Sequence, residues 1–354
     1  MVPQDRADPG PTPPYDAVVD ARTADELLAI AEDARERTRR EDPTGAERVE
    51  ARYPEMLEAL DWYLEAGQPD EGFRLATALV PFWMSTKRIE DGDRWYARAL
   101  EQPAGSPARR ARATYDHGYL VFWAGRYDVA DPRFAEARRA AEAVGDTNLV
   151  ALALAGSARV ALGRDPAEAV RLCREAIAAT ETTPDAEGRS SALHVLGVAL
   201  QMAGDFEGAR DVMTTRLELG RAAGNEFIVW VESSNLSMVE RQLGNLDRAE
   251  ELSLEALRIV QARGDAMAIP WIINGLAAVT AAKGDLERAA TLNGLAAGLL
   301  EQAGGEWPPD EREQYEATLV AIEAGLAPDV IERARAAGAA MPTEAGVAWA
   351  LHRD

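Results

Sequence analysis

The chain has 354 residues with 60 Asp and Glu against 38 Lys and Arg, a formal net charge of −22, and lysine only at Lys87 and Lys283. DNA binding is driven largely by neutralising phosphates, and anionic membranes attract basic clusters, so neither nucleic acid nor a membrane is an expected partner. The single cysteine, Cys173, allows no internal disulfide, no segment approaches about eighteen uninterrupted apolar residues, and the first residues lack a secretion signal, so a soluble cytoplasmic protein is expected.

Residues 1–18 carry Pro3, Pro9, Pro11, Pro13 and Pro14, which lack backbone donors and fix φ, so this stretch reads as a disordered tail. From Thr23, a candidate N-cap with Glu26 three residues on, the pattern predicts an amphipathic helix within 19–45 that packs weakly or helps associate the chain. Met56, Leu57, Leu60 and Leu64 share a stripe, and the packed part is expected to begin here, with a helical cap and first repeat over 46–104. Residues 105–304 read as repeats and 305–354 as a C-terminal helical cap.

The repeats carry a period. Gly125, Gly163, Gly204, Gly244 and Gly284 each stand a few residues before an alanine, as in GRYDVA, GDFEGA, GNLDRA and GDLERA. The equivalent small residues are Gly92, Ala130, Ala169, Ala209, Ala249 and Ala289, spaced 38, 39, 40, 40 and 40 apart. Such a period announces helix pairs stacked as a solenoid, above about 60% helix and without a sheet. The small residues let paired helices approach, and Tyr127, Phe206, Leu246 and Leu286, three positions earlier, are expected to fill the gap. Gly204, Gly244 and Gly284 suit the left-handed end of a first helix, and Asp205, Asn245 and Asp285 suit the N-cap of the second. A second series, Gly145, Gly224, Gly264 and Gly304, marks the turns between pairs.

The pattern small-X6-Gly-X-aromatic/Leu-X2-Ala, as in Gly118 to Ala130 and Gly197 to Ala209, resembles the tetratricopeptide repeat, with a period of about 40 in place of that family's usual thirty-four. Longer units resemble the sensor region of large bacterial signal-transducing ATPase regulators of the maltose-regulator and actinobacterial type; YPEMLEALDWYLEAGQPDEGFRLATALVPFW with GDRWYARALE resembles the segment that joins their ATPase module to the repeats, and the tail from LAAGLLEQAGGEWPPD to MPTEAGVAWAL resembles their C-terminal cap. The resemblance implies an all-α, right-handed superhelical solenoid and a regulatory binding role. The chain contains no GXXXXGK[ST] phosphate loop and no recognisable DNA-binding unit, so the sensor part alone is implied.

In such units the first helix of each pair lines a concave groove. One inward series is Thr77, Tyr115, Ala153, His194, Ser234 and Asn274; three positions earlier stand Arg74, Arg112, Val150, Ser191, Val231 and Trp271. With Tyr119, Phe122, Gln201, Met238 and Arg241 these make a candidate groove of aromatic walls and a few hydrogen-bonding groups. The competing reading is that the same residues satisfy neighbouring helices. Of the eight tryptophans, most are expected in the core, with Trp230 and Trp271 able to project into the groove. The carboxylate clamp of some tetratricopeptide proteins needs paired lysines; Asn235 and Asn274 are present without them.

Catalytic signals are weak. His117, His194 and His352 show no metal-ligand spacing with one another or with Cys173, so no metal or cofactor is expected. Asp116 and His117 are neighbours whose side chains diverge by about 100° on a helix and form no dyad merely by adjacency. Cys173 reads as a buried inert thiol. Were the chain an enzyme, His194 with Tyr115 or Tyr119 would be the first candidates. The expectation is a non-catalytic regulatory protein binding a protein or peptide partner in its groove, with a small-molecule effector as the alternative, an enzyme third, and no preference among oligomeric states.

Overall fold

The computed structural model describes residues 19–39, 42, 44–183, 187–307 and 309–352; the proline-rich stretch 1–18 lies outside them. Among the described residues there are seventeen α-helices and no strand. The described residues up to Asp146 form one compact unit, and those from Thr147 a second.

The first unit holds α1 (Ala21–Arg39), α2 (Thr44–Glu65), α3 (Pro69–Ser85), α4 (Ile89–Glu101), α5 (Pro107–Trp123) and α6 (Tyr127–Val144). Pro69 and Pro107 begin α3 and α5, where a missing N–H costs nothing. Each odd-numbered helix packs on its successor and also on the next odd-numbered helix, so α1, α3 and α5 run side by side as the first helices of three pairs. Here the structure departs from the sequence reading. α1 is no weakly held appendage, because Ala24, Leu27, Leu28, Ala31 and Ala34 are buried in the same core as Met56, Leu60, Phe73 and Trp83. The close approach needs small residues, and Gly45 at the start of α2 sits so near α1 that a Cβ there would meet the Ala34 carbonyl at 2.6 Å.

The second unit holds α7 (Thr147–Leu162), α8 (Pro166–Ala179), α9 (Glu187–Met202), α10 (Phe206–Ala222), α11 (Glu226–Gln242), α12 (Leu246–Arg263), α13 (Ala268–Ala282), α14 (Leu286–Gln302), α15 (Pro309–Glu323), α16 (Pro328–Ala339) and α17 (Thr343–Leu351). Its first helices are α7, α9, α11 and α13, with α15 packed on α13. The register alanines Ala169, Ala209, Ala249 and Ala289 have no exposed surface. At Gly244 and Gly284 φ is 81° and 90°, the left-handed region that only glycine adopts freely, and nothing lies within 4 Å of where a Cβ would stand. Their importance is therefore conformational rather than steric.

Local chemistry modifies the pattern at three points. Gly163 is absent from the left-handed glycines; its turn to Ala169 is one residue longer than its counterparts, and both Arg164 and Asp165 bond back to the Ala161 carbonyl. Asp205 and Asp285 cap α10 and α14 by accepting from Gly208 and Arg288 N–H, but Asn245 does not cap α12: its amide donates instead to Glu240 Oε2 at 2.7 Å. Tyr127, expected to fill an interhelical gap, is 53% exposed and lies against the Phe122 ring.

Candidate functional site

The first helices present one face at spacings of three, four and three residues. On α9 it consists of Ser191, His194, Val198 and Gln201, and on α11 of Val231, Ser234, Met238 and Arg241, all half-buried. On α3 it is Arg74, Thr77, Pro81 and Met84, and on α5 Arg112, Tyr115, Tyr119 and Phe122. The periodicity that placed these residues on a common side is thus present in both units, which must be taken separately.

In the first unit Arg74, Thr77 and Arg112 are committed to carboxylates within the repeat. Arg74 grips Glu32 of α1 with both ends of its guanidinium, at 3.0 and 2.9 Å. Thr77 donates to Asp116 Oδ2 at 2.7 Å while Arg112 Nε donates to Oδ1 at 2.8 Å, joining α3 to α5 through a buried carboxylate. The Tyr115 ring stacks on Tyr119 and tilts against Phe134, Tyr119 meets Trp123 edge-on, and Phe122 meets both Trp123 and Tyr127. Tyr115 itself is buried. His117 bonds not to its neighbour Asp116 but to Asp93 at 2.8 Å, and burial lowers its pKa.

The same stitching continues in the second unit. Arg159 of α7 donates to Ser191 Oγ at 2.9 Å. His194 Nδ1 lies 2.7 Å from Glu232 Oε1; since an ionised carboxylate only accepts, the ring carries its proton there. Asn274 is fully buried, with its amide nitrogen donating to Glu311 Oε2 at 2.8 Å and to the Glu311 carbonyl at 3.1 Å. Thr77, His194 and Asn274 occupy one register position, and each bonds to an acidic residue 39, 38 or 37 residues on, in the following first helix or, for Asn274, in α15. That shared habit explains why these three members of the series are polar. It also removes Asn274 from the open face, because a fully buried side chain has no surface to offer.

A charged pair that single-helix reasoning passes over lies beneath this face. Glu232 has no exposed surface and bonds to Arg216 Nη1 of α10 as well as to His194; Arg216 Nε donates to the Ser190 carbonyl at 2.9 Å. Burial works against the ionised carboxyl, but His194 and Arg216 outweigh it and hold Glu232 below the usual carboxylate range. The signal was in the repeat. Seven residues past each register position stand Ala99, Ala137, Ala176, Ala256 and Ala296, all buried, and only the α10 repeat puts an arginine there.

Buried polar atoms without a partner occur in both units, at Trp95 Nε1 and His117 Nδ1 in the first, but those on the groove series, Arg241 Nε, Trp271 Nε1 and Asn274 Oδ1, are in the second. Gln201, Ser234, Met238 and Arg241 make no side-chain hydrogen bond or ion pair among the described residues, and Arg241 Nε is buried with no partner. The indole nitrogens of Trp230 and Trp271 are likewise buried and unpartnered, although both rings are partly exposed. Elsewhere Trp83 and Trp95 are core, while Trp123 is 53% exposed. Cys173 is buried, and burial pushes its thiol up to about 12, which denies it a thiolate at neutral pH. Among the described residues no group of three or more His, Cys, Asp or Glu is placed to hold a metal ion, and no helix is long and apolar enough to cross a membrane.

The tetratricopeptide repeat family matches residues 234–262, which span the second half of α11 and most of α12. A Mycobacterium tuberculosis protein named as an HTH-type transcriptional regulator is 27% identical over 271 residues, covering 74% of this chain; the chain spans only 30% of that relative's length. Among solved structures, a Rap protein complexed with competence and sporulation factor aligns at TM-score 0.52 and 13% identity, over 88% of this chain and 85% of that one. The signal-transduction ATPase with a tetratricopeptide repeat sensor from Pyrococcus horikoshii aligns at TM-score 0.54 and 13% identity, over 91% of this chain and 56% of that one. At such identities the likeness establishes the fold. The chain is an all-α solenoid of tetratricopeptide-like helix pairs.

Proposed function

We propose that this chain is a non-catalytic regulatory protein that binds a peptide, or a short extended segment of a protein partner, across the α9 and α11 faces of its second unit. The observation that carries this reading is the contrast in spent and unspent groups. In the first unit Arg74, Thr77 and Arg112 are consumed in joining helices, whereas Gln201, Ser234, Met238 and Arg241 share one half-buried face with none of their side chains engaged. A buried donor without an acceptor costs about 1–3 kcal/mol, so a face that keeps one is suited to a ligand that supplies the acceptor. Adjacent packed helices stand about 8–10 Å apart, so an extended hexapeptide of roughly 20 Å crosses two or three of them. The Rap structure, which holds competence and sporulation factor on a similar fold, supports the peptide reading. The likeness to a tetratricopeptide sensor of an ATPase, with the unpartnered indole of Trp271, favours a small-molecule effector as the second reading.

An unbiased hexapeptide pool tests the proposal. The full chain should retain peptides through size-exclusion separation, and Met238→Arg, which fills the face, should reduce retention by about ten-fold or more with an unchanged melting temperature. Equal retention by the variant would place binding elsewhere. No retained peptide, combined with a melting temperature raised by a metabolite fraction, would favour the small-molecule reading.

A further inference from the structure

The chain carries 60 acidic residues against 38 basic ones, and several of its inward arginines sit against carboxylates, the half-buried Arg74 on Glu32 and Arg112 on Asp116 and the buried Arg216 on Glu232, while the half-buried Arg110, Arg189 and Arg288 donate to backbone carbonyls. Arg241 has neither kind of acceptor. Its Nε is buried without an acceptor, it has no ion-pair partner among the described residues, and its sequence neighbour Glu240 is taken up by the Asn245 amide. Burial lowers its pKa, and no carboxylate is near enough to raise it again. One turn before it on α11 stands Met238, and the equivalent positions of the adjoining first helices are Gln201 on α9 and Ala281 on α13. By register, an uncharged amide and apolar surface thus adjoin a guanidinium whose Nε is desolvated, on the face already assigned to the ligand.

A guanidinium cannot lose its proton in the working range, and although a carbonyl can satisfy one of its N–H groups, as the Ser190 carbonyl does for Arg216, an anion offsets its desolvation cost most fully. The chain's overall negative charge repels such an anion at a distance, but that repulsion is screened beyond about 8–10 Å, while a partly buried contact is screened much less. We propose that Arg241 is the carboxylate subsite of this face, and that the peptide bound there carries a free carboxylate, either at its C-terminus or on an Asp or Glu side chain. The guanidinium holds that carboxylate by charge-assisted hydrogen bonds, Gln201 supplies a neutral donor beside it, and Met238 packs against the residue next to it. This inference rests on the peptide reading above.

Three acetylated hexapeptide pools separate the outcomes when offered to the full chain: amidated without Asp or Glu, amidated with one Glu, and free-acid without Asp or Glu. At least one acid-bearing pool should be retained about ten-fold or more above the neutral one, the winner identifying a side-chain or a terminal carboxylate. Arg241→Met, which keeps the length and removes the charge, should abolish that preference while leaving the melting temperature unchanged or raised. Two results overturn the assignment: retention of all three pools alike by the wild type, which leaves the peptide reading standing, or acid preference that survives in Arg241→Met. A clear fall in the melting temperature of Arg241→Met would make Arg241 a structural residue instead. If no pool is retained, the peptide reading falls and the subsite with it.

Discussion

The two units use one register for different ends. In the first, the face formed by α3 and α5 is closed by its own chemistry: Arg74 is spent on Glu32, Thr77 and Arg112 converge on Asp116, and Tyr115 and Tyr119 stack on each other. In the second, the faces of α9 and α11 are stitched at one level by His194 and Glu232, yet Gln201, Ser234, Met238 and Arg241 stay unengaged. A polar residue on the inward side of a helical repeat is therefore not yet a ligand contact. The distinction lies in whether its donors and acceptors already have partners within the repeat.

The largest effects should come from separating the stitches from the open face. Glu232→Ala leaves Arg216 buried without its counter-ion and should cost about 3–5 kcal/mol of stability, read as a fall in the urea midpoint. Arg216→Ala combined with Glu232→Ala restores the alanine seen at the equivalent position of other pairs, and should recover most of that loss. If the double variant is no better than Glu232→Ala alone, the pair is not a self-contained insertion into an alanine column. In the first unit, Asp116→Asn weakens the bridge between α3 and α5 and should cost about 1–3 kcal/mol, less than the Glu232 change because Arg112 is partly exposed.

Repeat geometry comes next in magnitude. Gly284→Val forces a β-branched residue to a φ of 90° and should cost about 1–3 kcal/mol, and Ala249→Leu should cost a similar amount by overpacking a site with no free surface. A melting curve unchanged by Gly284→Val would contradict the turn assignment. The smallest effect concerns pH. Because Glu232 has a depressed pKa in the folded chain, the unfolded chain takes up the proton first; the stabilisation is complete above the ordinary value of 4.5 and is lost as pH falls through the folded value. The Arg216→Ala, Glu232→Ala double variant should therefore lose less stability than the wild type between about pH 5 and pH 3.

Much of the fold was legible because glycine turns and register alanines state a backbone requirement directly, as at Gly244, Gly284 and Ala249. The pairing of α1 with α2 was not, since that pair lacks the glycine-to-alanine signature and α1 shows its burial only through small residues such as Ala24 and Ala31. For the site, periodicity placed Thr77, His194 and Asn274 on one side but could not name their partners, which lie 37 to 39 residues away and depend on side-chain reach. Asn245 likewise had the chemistry of a cap and was drawn away by the buried Glu240 carboxylate.

Hydrogen–deuterium exchange on the full chain, with and without a retained peptide, tests the central contrast most directly. Binding across the second unit's open face predicts slowed exchange in α9 and α11, with α3 and α5 unchanged. Protection confined to α3 and α5, with α9 and α11 exchanging as in the free protein, would contradict it.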